Sequence, residues 1–502
     1  MTRVHVEFKR VQTWLFTVPR LRAMVGANAL LGETLRVKLP NLARETGRPW
    51  TLTPIVGTYP GADANDPLGT HDDPTVDAKD GIIARDGGHF EAQFSSGAEA
   101  FADAAGQLLR TSLPGLRFRI SLDDVPMTKN QVCLPNELPV LEPCSWTGRG
   151  LASALVEQGD ERPAVSLDVA RRHEAARRTE DGSAVDLASL LSAVTKLKEL
   201  CRAQELKELV GSGYLALVNV DGNAVGSGAI KCDSDSARVK FFHHNRVLLR
   251  RALKASIDAH CPDEGQAPLI PLMLGGDDLL VLCRAEIALP FVVTLCEQLA
   301  ESQPEDGDGF KLTLGVGVVF AKHNIPIHRL HEVAEQLASS AKRRFRGLTE
   351  AGMAGRSVID WAVYSTSWVD DPVEVRRRDW LCGEGCDKRV LSQRPVDVLG
   401  DDLDTLQGLE GAAKRLVHAP RSQLRYLVDQ LPRGRVLSEL AFAELSNEAK
   451  NALDEAGVKT TWQRTSSDSL WFTELLDLVE IAEIPRLGRS GEQMSNRHGG
   501  RQ

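Results

Sequence analysis

The chain has 502 residues, 42% of them hydrophobic, which at about 100–200 residues per domain is enough for roughly three or four domains with sizeable cores. With 60 Lys and Arg against 69 Asp and Glu the formal charge is −9. No general basic surface therefore exists to hold a nucleic-acid duplex by counterion release, and any such role must be local or shared. Nine cysteines are sparse and odd in number, and the start Met1-Thr2-Arg3-Val4-His5-Val6 alternates like a strand where a signal peptide would run apolar. No stretch approaches the ~18 uninterrupted apolar residues of a membrane span. The expectation is a soluble cytoplasmic chain with reduced thiols and no membrane partner.

Val4, Val6 and Phe8 alternate with His5, Glu7 and Lys9, which predicts a strand, and a helical pattern follows at 21–45 with Met24, Leu31 and Leu35. A second strand is expected from Trp50 to Val56, then a Gly/Asp/Pro-rich loop over 57–80. Next come a strand on Phe90, Ala92 and Phe94, a helix carrying Phe101, Ala104 and Leu108, and a strand on Leu116, Phe118 and Ile120. The order βαββαβ is the ferredoxin-like unit and gives a first palm-like domain at 1–122. Residues 123–208, with Pro126, Pro135, Pro139 and Pro143 and then Leu187, Leu190, Leu191, Val194 and Leu197 at helical spacing, predict a connector with helices near 165–180 and 184–208.

From 209 to 370 the same order returns. The expected elements are a strand Tyr214 to Val220, a helix near 236–260, strands Pro268 to Leu274 and Leu279 to Cys283, a helix with Val292, Leu295, Cys296 and Leu299, and a strand Lys311 to Phe320. A helix with Ile327, Leu330, Ala334, Leu337 and Ala341 follows, and Ser357 to Tyr364 is an extra strand extending this second sheet. Residues 371–485 are mainly helical in pattern, near 405–432, 438–457 and 469–484, and predict a small bundle. Residues 486–502 lack an apolar period and predict a disordered tail. The fold class is thus α+β: two ferredoxin-like βαββαβ palm domains, a helical connector and a C-terminal helical bundle.

In a ferredoxin-like sheet the strand order is 4-1-3-2, so the end of strand one lies beside the turn joining strands two and three. In the second unit that places Asp221-Gly222-Asn223 beside Gly275-Gly276-Asp277-Asp278. Three carboxylates brought together repel one another unless a hard divalent cation neutralises them, and oxygen-only ligands favour magnesium or manganese over zinc. Gly275 and Gly276 let a triphosphate approach the turn, because no β-carbon blocks it and φ is free. The bland alternative is an exposed Gly-Gly-Asp-Asp hairpin turn, since these are ordinary turn residues. Asp221 at the neighbouring strand end and the apolar strands on both sides of the turn favour the metal-nucleotide site.

The strings Tyr214-Leu-Ala-Leu-Val-Asn-Val-Asp221-Gly222-Asn223-Ala-Val-Gly226, Leu274-Gly-Gly-Asp-Asp-Leu279 and Leu314-Gly-Val-Gly317, with His323, Pro326 and Ala341-Lys342 behind them, closely resemble the cyclase palm of the large subunit of type III CRISPR effector complexes. Val11-Gln12-Thr13-Trp14-Leu15-Phe16 through Gly26-Ala27-Asn28 resembles that family's first palm, and Pro143-Cys144-Ser145-Trp146-Thr147-Gly148-Arg149 its connector. The resemblance implies that the second palm joins ATP into cyclic oligoadenylates, second messengers of antiviral defence. By that analogy Asp221, Asp277 and Asp278, with the carbonyl of Gly222, hold two magnesium ions, one activating a ribose 3′-hydroxyl and the other the triphosphate and its leaving pyrophosphate. Lys342 is a candidate phosphate contact. Other CRISPR effector subunits and guide or target RNA are the implied partners.

Two departures stand out. The family commonly has a second acid two residues after the first, and here that position is Asn223, which keeps an oxygen and loses a charge. The family often begins with an HD nuclease domain, whereas this chain starts in the palm. His71-Asp72, its one adjacent His-Asp pair, lies in a Gly/Asp/Pro loop, so no DNA cleavage is expected. The rival from another class is a catalytically inactive palm scaffold in a CRISPR ribonucleoprotein. A GTP-using diguanylate-cyclase-like enzyme is disfavoured because Asp277-Asp278-Leu279 lacks an acid-acid-aromatic ending, and a viral-type polymerase because Gly226 stands where a second acid would be. Cys382-Gly-Glu-Gly-Cys386 with Cys133 and Cys144 does not form a standard pair of knuckles, so zinc is not expected. Lys342-Arg343-Arg344-Phe345-Arg346 and Arg376-Arg377-Arg378 are basic runs whose bland reading is a solvated face.

Overall fold

The computed structural model describes residues 1–52, 63–69, 71–127, 142–158, 161–303, 310–353, 355–364, 371–464 and 470–488. It is a mixed α+β structure with several sheets. The chain divides into two compact units, one made of 1–208 and 224–281 and the other of 209–223 and 282–502.

In the first unit, strand Thr2–Lys9 lies between Arg117–Leu122 and His89–Ser96, antiparallel to both. Its alternation buries Val4, Val6 and Phe8 on one face, where Phe90, Phe94 and Ile120 join them. Helix Ala98–Ser112 closes that face, with the Phe101 ring 4.9 Å from Phe94 and 5.9 Å from Phe90. Of the edge strand expected from Trp50 to Val56, residues 50–52 are described and lie outside any strand. Two short strands, Arg48–Pro49 and Ile82–Ala84, pair with His89–Ser96 instead, both with shifted register, and residues 53–56 lie outside the described residues. The helix expected at 21–45 is Leu21–Glu33, a π-helical turn Thr34–Lys38, and Leu39–Thr46.

Helix Leu167–Glu180, from the predicted connector, packs against Leu21–Glu33 so closely that a β-carbon on Gly26 would lie 1.8 Å from the carbonyl oxygen of Arg172. The fully buried Arg172 guanidinium donates to the carbonyls of Trp14 and Leu15 and sits 4.1 Å over the Trp14 ring. Backbone carbonyls and an aromatic face replace the water it loses.

The second six-stranded sheet has the order Leu269–Leu274, Leu279–Arg284, Tyr214–Gly222, Leu314–Lys322, Val358–Tyr364, Val396–Asp397. In the second unit, Tyr214–Gly222 and Leu314–Lys322 are antiparallel and buried almost throughout, as strands covered on both faces are. Val358–Tyr364 runs parallel to Leu314–Lys322 and extends the sheet as expected.

The C-terminal helices are shorter than the sequence pattern suggests: Leu406–Ala413, Arg421–Gln430, Arg435–Ala443, Asn447–Glu455 and Leu475–Gly488. Pro420 caps the second, and Ser446 caps the fourth by accepting from the Ala449 N–H. A four-stranded sheet of two-residue strands, missed by periodicity, lies among them. Two residues are too few to show a period of two. Among the described residues no helix is long and apolar enough to cross a membrane.

His331, on the long helix Ile327–Glu350, is 3% exposed, and burial lowers its pKa to about 4. Its neutral form is therefore favoured by folding, so its contribution is complete above the unfolded value near 6.5 and is lost as pH falls through about 4. Urea unfolding of the wild type and His331→Asn at pH 7 and pH 4 should show the stability gap between them shrink by about 3 kcal/mol at the lower pH. A constant gap would mean that His331 does not titrate in this window.

Candidate metal and nucleotide site

Strand Tyr214–Gly222 carries six consecutive buried residues and then emerges at Asp221, which is half-buried. Asp221 pairs in register with Gly315 and Gly222 with Leu314. The Asn223 N–H donates to the carbonyl of Thr313 at 2.8 Å, which prolongs the pairing by one residue, and Ala224 then turns the chain with φ of 57°. The Asn223 side chain is 1% exposed, its amide donating to Thr313 Oγ1 at 3.1 Å, while its buried Oδ1 has no hydrogen-bond partner.

Lys342 reaches this strand end from the helix behind it, and its ammonium pairs with Asp221 Oδ2. Gly315 makes that possible. A β-carbon there would lie 2.8 Å from Lys342 Cγ and 3.1 Å from Asn223 Oδ1, so the lysine stem occupies the room the glycine leaves. The sequence singled out Lys342 and Asn223, but not Thr313 or the reason for Gly315. The legible signal was Gly-x-Gly within an apolar strand, which marks a close approach of other atoms.

The Gly275-Gly276-Asp277-Asp278 segment forms a tight hairpin closed by the Gly275 N–H donating to the Asp278 carbonyl at 2.8 Å. Neither glycine has the positive φ that would demand it. Gly275 sits close to a neighbouring turn, since its β-carbon would lie 3.3 Å from the Gly87 Cα, whereas a β-carbon on Gly276 would meet nothing within 4 Å. Free φ, the sequence argument for these glycines, is thus replaced by a close backbone approach at Gly275 and open space at Gly276.

One carboxylate oxygen from each of Asp221, Asp277 and Asp278 lies within 4.8 Å of the other two, and all three residues are half-buried. Three hard anionic oxygens at this spacing suit a divalent cation of the magnesium or manganese kind. Among the described residues this is the group of His, Cys, Asp and Glu that gathers with metal-ligand spacing.

Other predicted features fall elsewhere. Asp72 of the His71-Asp72 pair is fully buried among Arg36, Arg85, Arg246 and Arg250. Cys133 and the Cys386 side chain lie outside the described residues. Burial pushes the Cys144 thiol up, but the Thr147 hydroxyl and the N–H groups of Ser166, Trp146 and Thr147 hold it below its ordinary value. Each arginine of the second basic run is paired, Arg376 with Asp360, Arg377 with Glu374 and Arg378 with Asp379. In the first run, Arg344 reaches Asp397 at 3.5 Å and Phe345 lies against Gly355.

Residues 214–347 match the family described as Cas10/Cmr2, second palm domain. No curated protein matches the chain. Among solved structures, Csm1 of T. onnurineus matches at 12% identity with a TM-score of 0.48, covering 96% of this chain and 69% of that one. A Csm1-Csm4 cassette in complex with one ATP matches at 13% identity with a TM-score of 0.40, covering 68% of this chain and 53% of that one. The same cassette in complex with cA4 matches at 12% identity and 0.39, with the same coverage. The chain thus spans about half the length of the proteins in those cassettes. The stretch bearing both the strand end and Lys342 is the stretch that matches, and the chain resembles the large subunit of type III CRISPR complexes through its Cas10/Cmr2 second palm.

Proposed function

We propose that this protein is a magnesium- or manganese-dependent nucleotidyltransferase that joins ATP into cyclic oligoadenylates, working with other subunits and RNA of a type III CRISPR complex. The observation that carries the reading is the convergence of Asp221, Asp277 and Asp278 within a segment matching the Cas10/Cmr2 second palm. In this reading, residues 1–122 and 209–370 are two ferredoxin-like palms joined by the 123–208 connector and followed by helices at 371–485.

Magnesium, when bound, would lower the pKa of the attacking 3′-hydroxyl and neutralise the triphosphate. Asp221, Asp277 and Asp278, with the Gly222 carbonyl, would supply its oxygens. Gly275 and Gly276 admit the triphosphate to the turn, with Gly276 open on its free side. Lys342 balances the charge of Asp221 and, released from it, donates to a phosphate oxygen. Asn223 acts differently from the acid it replaces: buried and bonded to Thr313, it fixes the strand end beside the lysine stem.

Incubating the protein, with and without its co-purifying partners and RNA, with each nucleoside triphosphate and magnesium should give oligoadenylate from ATP by mass spectrometry. ATP binding without product under every condition would instead favour the inactive scaffold. Lys342→Ala should raise KM for ATP about tenfold, the loss of one charge-assisted phosphate contact. An unchanged KM would leave Lys342 as a counter-charge for Asp221 only.

A further inference from the structure

Four arginines and four aspartates form a buried network within the first unit. Arg36 comes from the π-helical turn and Asp66, Asp72 and Asp77 from the segment that follows. Arg85 and Asp86 come from the hairpin before His89–Ser96, and Arg246 and Arg250 from helix Asp235–His260. Arg250 bonds Asp66 at 3.0 Å and Asp72 at 2.7 Å, and Arg36 bonds Asp72 at 2.9 Å. Asp86 is held by Arg246 at 2.9 Å and Arg36 at 3.3 Å. Burial opposes ionisation of Asp86, yet the Arg36 and Arg246 guanidiniums keep its carboxyl below the usual range. Such a network gains little net energy over an apolar core but holds its members in one arrangement, since every displaced partner leaves a buried charge uncompensated.

The residues after Asp86 make this arrangement matter. Gly87 and Gly88 have φ of 61° and 80°, the tight hairpin turn that Gly-Gly permits, closed by the His89 N–H donating to the Asp86 carbonyl at 3.0 Å. The Gly88 carbonyl accepts from the Phe8 N–H of the first strand at 2.8 Å. The outer face of this turn lies against the Gly275–Asp278 hairpin. A β-carbon on Gly275 would lie 3.3 Å from the Gly87 Cα, and one on Gly87 would lie 4.0 Å from the Gly276 nitrogen. Two glycine turns therefore meet backbone to backbone, one of them anchored by the ion network.

We propose that Asp86, through the Gly87–Gly88 turn, is a positioning residue that sets the Gly275–Asp278 hairpin and so the placement of the Asp277 and Asp278 carboxylates. The inference rests on the reading of those carboxylates as a metal site. It assigns a task to a part of the chain outside the segment that matches the second palm.

The experiment measures manganese binding to the full chain by calorimetry, alongside thermal unfolding and the kinetics of ATP consumption. Asp86→Ala should weaken manganese binding about tenfold and lower kcat with KM for ATP little changed. Asp66→Asn, at the far side of the network, should lower thermal stability comparably and leave manganese affinity unchanged. If Asp86→Ala does not fold, Gly87→Ala, which removes no member of the ion network but strains the turn at its positive φ and adds a methyl facing Gly276, should still weaken manganese binding several-fold. Manganese binding lost in Asp277→Asn but unaltered in the folded Asp86→Ala and in Gly87→Ala overturns the positioning role alone. Manganese bound by the wild type with no product from ATP overturns the cyclase reading and leaves the Asp86 comparison intact. A wild type that binds no manganese overturns both.

Discussion

Replacing Asp277 and Asp278 together by alanine should lower oligoadenylate synthesis by about a thousandfold or more while leaving folding intact. The site gathers three carboxylates within 4.8 Å, and this change removes two of its negative charges. A bound divalent ion contributes several kcal/mol of charge stabilisation to phosphoryl transfer, and each ~1.4 kcal/mol is a factor of ten in rate. The stability readout runs the opposite way. Without metal, three carboxylates within 4.8 Å of one another repel, and the double change removes that repulsion. Saturating magnesium should raise the wild-type transition, by about 2.7 kcal/mol of stability at a hundredfold excess over Kd, and leave that of the variant unmoved. Turnover unchanged in the double variant would refute the site assignment. Product absent from both proteins, with the magnesium effect preserved in the wild type, would support a scaffold that binds metal and nucleotide without turnover.

How much of this was legible in the sequence depended on whether a feature repeats or is repeated by topology. The buried strand Tyr214–Gly222, the helix Asp235–His260 and the extra strand Val358–Tyr364 all carry long apolar patterns, and each is found close to where the pattern puts it. Asp221 and the Gly275–Asp278 turn could be brought together because strand order in a βαββαβ sheet leaves little freedom, and the three carboxylates do gather. The two-residue strands around Trp471 and Arg389 carry no period and were invisible. The Asp–Arg network was invisible for a different reason. Its members are charged residues spread over the turn Thr34–Lys38, the Gly/Asp/Pro loop, the hairpin before His89–Ser96 and the helix Asp235–His260, where composition argues for solvent, and only their mutual neutralisation allows burial. His71-Asp72 is set aside in the sequence as a nuclease pair because of its loop, and Asp72 contacts four guanidiniums.

The two glycines of strand Leu314–Lys322 should separate stability from catalysis when each is changed to alanine. Gly317 pairs with Asn219 and Gly315 with Asp221, so both face the same helix, Ile327–Glu350, two residues apart. A β-carbon on Gly317 would lie 2.2 Å from the Ala334 carbonyl oxygen and 2.5 Å from the Ala338 nitrogen, both backbone atoms in mid-helix that no rotamer change can move. The whole helix must lift from the strand, loosening the burial of Leu330, Ala334, Leu337 and Ala341. Overpacking of this kind costs about 3 kcal/mol, at the upper end of the usual range, and Gly317→Ala should show it in urea unfolding. At Gly315 the atoms met are Lys342 Cγ at 2.8 Å and Asn223 Oδ1 at 3.1 Å, both belonging to side chains and neither to the helix backbone. Gly315→Ala should therefore cost less stability than Gly317→Ala, yet it drives the lysine stem off the strand and away from Asp221. Its effect should appear as a KM for ATP raised about as far as in Lys342→Ala, the two changes together doing no more than either alone. Equal losses of stability at the two positions would mean that the helix, rather than one lysine, answers to both glycines, and full additivity of Gly315→Ala with Lys342→Ala would sever the link between that glycine and the site.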